Sequence, residues 1–391
     1  IGRGNGATLT IEGDGDDVVT INNNLEADDL GSNVKSLSFN GDIDVSGTKL
    51  QLLNTIATPG SADAGELDTE SVYQVNGSLT ADADSPVELT AGILRLNGRG
   101  NDTSTLEGGL TVESEMAQLQ VSGAAEVGGK LQVSDALGGS DEPDDVMLLS
   151  GGMLTLMNGA SVEAGFGIMA ESQGKETLRV AENATAVLGS GSSVQNAVLE
   201  LQQGSALQVA ADSLVSVRGL VGKGALVHTA EEGATSAPDI IITPTRNSVF
   251  SGDLSQYEGR ISVIGSDQTT ATQVFDKVTT AAAADSKLDM WLNDSAVINV
   301  AEETGNKTLN LRELHLLKDS ETTFEVNSDT MAAGGAPALA VNTTAAMMPG
   351  AELLLSSTGT EVLSEQAELQ LLTAAEGVNL SDWDGADITL D

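Results

Sequence analysis

The chain has no cysteine, which excludes disulfides, thiol nucleophiles and zinc–thiolate sites. Aromatic residues are scarce: two Trp, two Tyr and five Phe in 391 residues. The core is therefore expected from Val, Leu, Ile, Ala and Met, and aromatic platforms for stacking sugars are nearly missing. Proline occurs seven times against 44 glycines, so turns must lean on glycine's access to positive φ. Basic residues are few as well, 17 against 58 acidic ones, for a formal net charge of −41. Such a surface repels phosphate backbones and anionic headgroups, so nucleic acid and membrane surfaces are disfavoured as partners. No apolar run is long enough to span a bilayer, and no signal peptide is visible. The chain begins IGRGNG without Met, which reads as a mature or excised fragment whose targeting signal lies outside it. Helical periodicity is scarce, the best stretch being 279–289 (TTAAAADSKLD).

What is present in abundance is a short apolar pair. The motif is apolar-x-apolar, then a small or turn residue, then a second pair starting eight residues after the first. In LELQQGSALQV the pairs are Leu199/Leu201 and Leu207/Val209, with Gly204 between them. In MLTLMNGASVEA they are Leu154/Leu156 and Val162/Ala164 around Gly159, and in LRVAENATAVL they are Leu178/Val180 and Ala186/Leu188 around Asn183. Asn tolerates the left-handed conformation best after Gly, so Asn183 fits the same corner. Looser copies run from Leu9/Ile11 to Leu369/Leu371. Alternation with period 2 puts each pair on one face of a strand and the middle residue, mostly Thr, Gln, Glu, Ser or Arg, on the other.

These strands are too short for a sandwich, whose strands run about 5–6 residues. Asn-Gly and Asp-Gly occur (Asn5-Gly6, Asn40-Gly41, Asp14-Gly15) but do not join most pairs as hairpins would. Very short strands, glycine corners and one inward face per strand predict a solenoid whose turns stack and pair with one another. The expectation is an all-β chain, a parallel β-helix forming one elongated domain. Residues 1–340 form the rod, with loop insertions near 57–70, 138–145 and 230–239, and another Gly/Pro-rich stretch at 331–337. Residues 341–391 form further turns or a cap.

Residues 247–265 read NSVFSGDLSQYEGRISVIG. Phe250-Ser251-Gly252, then Tyr257-x-Gly259, then Ile261-x-Val263 resembles the repeat of bacterial autotransporter passenger domains. The stretch at 367–378 (AELQLLTAAEGV) is similar to the segment that precedes their outer-membrane barrel. The specific likeness covers one copy of the repeat; the looser pattern covers most of the chain. It implies a right-handed β-helix displayed on, or released from, the outer membrane surface of a Gram-negative bacterium. The chain departs from that family at its end. It stops at Asp391 without the alternating amphipathic strands of a barrel, so any membrane attachment would run through a barrel missing from this chain.

Residues that carry chemistry are thinly spread. His228 and His315 are the two histidines, both at strand-like positions and read as solvent-facing. The passenger serine-protease segment Gly-Asp-Ser-Gly is absent; Gly189-Ser190-Gly191-Ser192 reads as a corner. Adjacent carboxylates, the raw material of a β-helix glycosidase or lyase, occur at Asp16/Asp17, Asp28/Asp29 and Asp144/Asp145, without a basic cluster to bind an anionic sugar. For a metal, 13–19 (GDGDDVV) matches half of a calcium-binding nonapeptide, with Asp17 as ligand and Asp14 and Asp16 beside it. The acidic loop at 140–145 offers Asp141, Asp144 and Asp145 as hard oxygen ligands. The expectation is no catalytic residue and no cofactor, with calcium the metal these aspartates leave open. The function expected is a non-catalytic adhesin or self-associating surface protein, its partner a host or bacterial surface component or a second copy. The alternatives are a carbohydrate-active β-helix and an architectural subunit of an extracellular filament or surface layer.

Overall fold

A computed structural model describes the chain except residues 1–7, 14–17, 27–35, 58–65, 68–70, 99–101, 114–115, 135–144, 172–174, 230–237, 266–269, 294, 304, 318–319, 328–336, 358–371, 375–377, 380–387 and 391. The apolar pairs become strands mostly three to five residues long, and these stack in parallel and in register. The protein is a parallel β-helix.

The stretch carrying the passenger-like likeness is one complete coil. Ser248–Phe250 lies in a first sheet, Asp253–Gln256 in a second and Gly259–Val263 in a third. Other coils repeat that order, for example Leu79–Ala81, Val87–Leu89 and Gly92–Leu96. Residues that meet across neighbouring coils are 21 apart at Thr111 and Gln132, and 25 apart at Arg95 and Gln120. The separation reaches 36 at Asn40 and Asn76, and between them Glu66–Leu67 pairs antiparallel with the end of Lys49–Ala57.

The opening motif LELQQGSALQV forms Val198–Leu201 in the first sheet and Ala206–Ala210 in the second. Its four apolar residues are fully buried, and Gly204 turns the corner at φ 72°. Asn183 holds the same corner at φ 58°. The signature glycine at 252 has a different cause. A Cβ there would lie 2.0 Å from the Gly224 carbonyl oxygen and 2.4 Å from Phe250 Cζ, so only glycine lets this corner tuck under the coil before it.

The chain divides into two compact units, Ile1–Ala197 and Val198–Asp391. In the first, all three sheets stack coil on coil. In the second, the second sheet stops at Asp253–Gln256, bridges once from Asp253 to Thr279, and resumes as Leu309–Leu311, Leu339–Val341 and Leu372–Ala374. The break falls on the stretch expected to be helical. Only Ala283–Asp285 turns, as one 3₁₀ turn, because an alanine-rich run this short has too little apolar face to pack as a helix. Strands Ala345–Met347 and Glu352–Ser357 pair with the coil before them, so stacking runs on past 340.

The core of the first unit is mostly aliphatic, with Leu94, Leu96, Leu119, Val121, Leu154 and Leu156 at or near full burial beside Phe39, Tyr73 and Phe166. Fully burying one such side chain stabilises by about 1.5–3 kcal/mol. The aliphatic-only expectation fails in both units, and in the second the rings form a row. Phe250, Phe275, Ile298, Phe324 and Leu355 occupy one inner row of the first sheet. Every Phe and both Tyr of the chain are buried, because rings stacked one per coil pack in a column as well as leucines do. Ala164 also departs from expectation: it lies exposed past the strand Ser161–Val162.

A buried amide closes one gap in the ladder. Between Gly219–Gly222 and Ser248–Phe250 the pairing is reduced to Gly222 with Phe250. Gln273, fully buried, reaches past Ser248 to that coil. Its Oε1 accepts from the Leu220 N–H at 2.9 Å and its Nε2 donates to the Leu220 carbonyl at 2.9 Å. The side-chain amide stands in for the missing strand neighbour.

Candidate functional site

Of the aspartates expected to hold a cation, Asp14, Asp16, Asp17, Asp141 and Asp144 lie outside the described residues. So do the pairs Asp16/Asp17 and Asp28/Asp29. Asp145 is described and buried, and its Oδ2 accepts the Gly167 N–H at 2.8 Å, bracketing the start of the next coil's strand. Among the described residues no group of three His, Asp or Glu is placed to hold a metal ion.

The two histidines occupy different sheets and do not meet. His228 ends the strand Ala225–Thr229 of the second sheet, with Nδ1 3.7 Å from Glu258 Oε2; Glu258 in turn pairs with Lys287 at 2.6 Å. His315 lies in Glu313–Leu316 of the third sheet, its Nε2 3.0 Å from Glu313 Oε2. Neither is solvent-facing as expected. Their side chains are 11% and 18% exposed: His228 stands in the inner row in register with buried Val209, and His315, an outward residue, is covered by neighbouring coils.

The register of the third sheet builds a cluster around His315. Ser262, Trp291 and His315 follow one another on successive strands, with Arg260, Asp289 and Glu313 two positions earlier. The Arg260 guanidinium lies over the Trp291 ring, 4.7 Å from its centroid, and His315 stacks on it at 4.6 Å and 37°. Arg260 also pairs with Asp239, and Arg312 grips Asp289 with two nitrogens. That bond to Asp289 raises the Arg312 pKa against the opposing effect of burial, so the guanidinium keeps its charge. Held between the coil before and the coil after, the Trp291 ring offers no free face to a sugar. The cluster is a clamp of ion pairs and stacked rings across the coils.

The outer rows of the first unit are spent on one another. Asn76 donates to Asn40 at 2.9 Å, Asn97 to Asn76 at 2.8 Å and Ser122 to Asn97 at 2.8 Å, forming an amide ladder at one corner. Gln51 donates to Glu88 at 2.8 Å, and Arg95 donates to Gln120 at 2.9 Å. Reading Asn40-Gly41 only as a failed hairpin turn missed that Asn76-Gly77 and Asn97-Gly98 repeat it at the same corner.

The first sheet separates the two units. In the first unit its outer row reads Thr10, Asp44, Thr80, Thr105, Glu126, Thr155 and Arg179. In the second unit the corresponding row opens on Glu200, in register with Val221, and then carries Val249, Val274, Val297, Thr323 and Leu354 in register. Val221 precedes Val249, one residue before the Gly222–Phe250 pair. Val249 is 48% exposed. The rows beside this stripe hold Asp276, Asn299 and Glu325 on one side, and Glu321 and Glu352 on the other. The signal was legible: SVF, QVF, AVI, TTF and LLL put an uncharged residue between inward ones, where most pairs put a polar residue.

These features define a parallel β-helical protein with in-register outer rows, one of them apolar. No family model, no curated protein and no solved structure matches the chain.

Proposed function

We propose that the chain is a non-catalytic β-helical protein for adhesion and self-association, displayed on or released from a Gram-negative cell surface in the manner of an autotransporter passenger. The observation that carries this reading is the apolar outer row of the first sheet in Val198–Asp391, unlike the charged and hydroxylated row of the same sheet in Ile1–Ala197. Exposed apolar surface arrayed on a rigid sheet marks a place where another surface is received. The FSG…YEG coil supports the passenger-like character, because its ring and glycine positions each have a structural use in this stack. The net charge of −41 opposes contact between copies until ions screen it. Sedimentation velocity in low salt, in added sodium chloride and in added calcium or magnesium tests this. Association that strengthens with the ions is expected; a monomer under every condition overturns the self-associating part of the reading.

A further inference from the structure

The valine row has a defined rim, and the rim says what the row receives. We infer that it is the docking site for a basic amphipathic α-helix of a partner protein, lying along the stack of coils. This rests on the adhesive reading above and gives the partner's chemistry. The row runs through Val221, Val249, Val274, Val297, Thr323 and Leu354, one residue per coil and none of them charged. Coils repeat about every 4.8 Å. A helix laid along the row advances about 5.4 Å per turn, so one apolar residue per turn keeps close pace with the valines over four or five coils. An extended strand laid the same way presents a side chain to one face only every ~6.6–7 Å and loses step sooner.

Charge selects the sign of that helix. Asp276 and Glu325 flank the row on one side, Glu321 and Glu352 on the other, and both Glu321 and Glu352 are exposed. Two basic groups stand on this rim among the described residues: Lys277, which already pairs with Asp276 at 3.3 Å, and exposed Lys223, two residues past Val221 at the first end of the row. A helix with an apolar stripe and lysine or arginine on its shoulders meets valine at the centre and carboxylates at the edges. A second copy of this acidic chain meets like charge at both edges until ions screen it, so in low salt this row favours a foreign basic partner over itself.

The probe is a fluorescein-labelled Leu/Lys peptide of about 14 residues, with leucine at helical spacing to cover roughly four turns. Its controls are a Leu/Glu peptide with the same pattern and a Lys/Ser peptide with the same charge and no apolar stripe. Fluorescence anisotropy against the full chain is expected to show binding of Leu/Lys, at least tenfold weaker binding of Lys/Ser, and none of Leu/Glu. The combined change Val249→Thr, Val274→Thr and Val297→Thr keeps side-chain shape and removes apolar surface; it should weaken Leu/Lys binding at least tenfold. Should that variant fail to fold, Val249→Thr alone, at the most exposed position, should still weaken it measurably. Glu321→Gln with Glu325→Gln should weaken it and flatten its salt dependence. Equal binding of Leu/Lys and Lys/Ser, or undiminished binding of Leu/Lys by the threonine variants, overturns the inference. A chain that self-associates with ions yet ignores Leu/Lys leaves the adhesive reading standing and this partner wrong.

Discussion

The first sheet differs between the two units on both of its faces. In Ile1–Ala197 its inner row reads Ile11, Val45, Ala81, Leu106, Val127, Leu156 and Val180, and its outer row is threonine and charge. In Val198–Asp391 the inner row becomes Phe250, Phe275, Ile298 and Phe324, and the outer row becomes valine. Both inner rows do the same job, because a solenoid core accepts any side chains that fill its section at native density. The outer rows have no such common duty. Ladder hydrogen bonds hold either one, and threonine suits an exposed strand as well as valine does. Packing accounts for the phenylalanines; it does not account for the valines.

The comparison is broken most severely from inside. Phe275→Ala removes the middle ring of the phenylalanine row and should cost about 3–5 kcal/mol, against about 2–5 kcal/mol for Leu156→Ala in the aliphatic inner row of the first unit. Urea unfolding followed by circular dichroism measures both. A Phe275→Ala cost below that of Leu156→Ala would mean the second unit collapses around the gap, and that its rings are decoration on an aliphatic frame. Gln273→Leu comes next. It leaves the Leu220 N–H and carbonyl buried without a partner, at about 1–3 kcal/mol for each orphaned group. Hydrogen exchange at the Leu220 amide should accelerate in that variant while amides of the first unit keep their rates. Equal acceleration in both units would show that the ladder gap is no weak point of the second one.

Legibility followed the strength of each local pattern. The pairs at Leu199/Leu201 and Leu207/Val209 announced two sides of one coil because alternation and the Gly204 corner each depend on a few neighbouring residues. The phenylalanine row was invisible because Phe250, Phe275 and Phe324 are far apart in sequence, and only the register of the coils stacks them. Gln273 was invisible for a sharper reason: a glutamine between polar threonines and a valine looks solvated until a missing bridge two coils away claims its amide. His315 looked solvent-facing because alternation gives the side of a strand, not how far the coils above and below cover it, whereas His228 looked so from its residue type alone, although alternation from Leu226 puts it on the inner row with Val209. Asp145 looked like a cation ligand from its acidic neighbours, and the fold uses it on the Gly167 amide. The valines at 249 and 274 escaped the pattern because Ser248-Val249-Phe250 and Gln273-Val274-Phe275 put a polar residue on the inner row, so neither triplet offers an apolar first and third.

The smallest effect is the most informative one. Val274→Thr should change stability by no more than about 0.5 kcal/mol, the usual range for a surface substitution away from any special feature. Thr105→Val, its reverse in the outer row of the first unit, should do the same. Denaturant midpoints at fixed slope measure both. If Val274→Thr instead costs as much as a core change, the valine row is packed by the protein itself and offers nothing to a partner. If both changes are silent, the outer row is free of the fold in either unit. What separates threonine from valine there is then the surface each unit meets, which is the condition the basic-helix inference needs before any binding is measured.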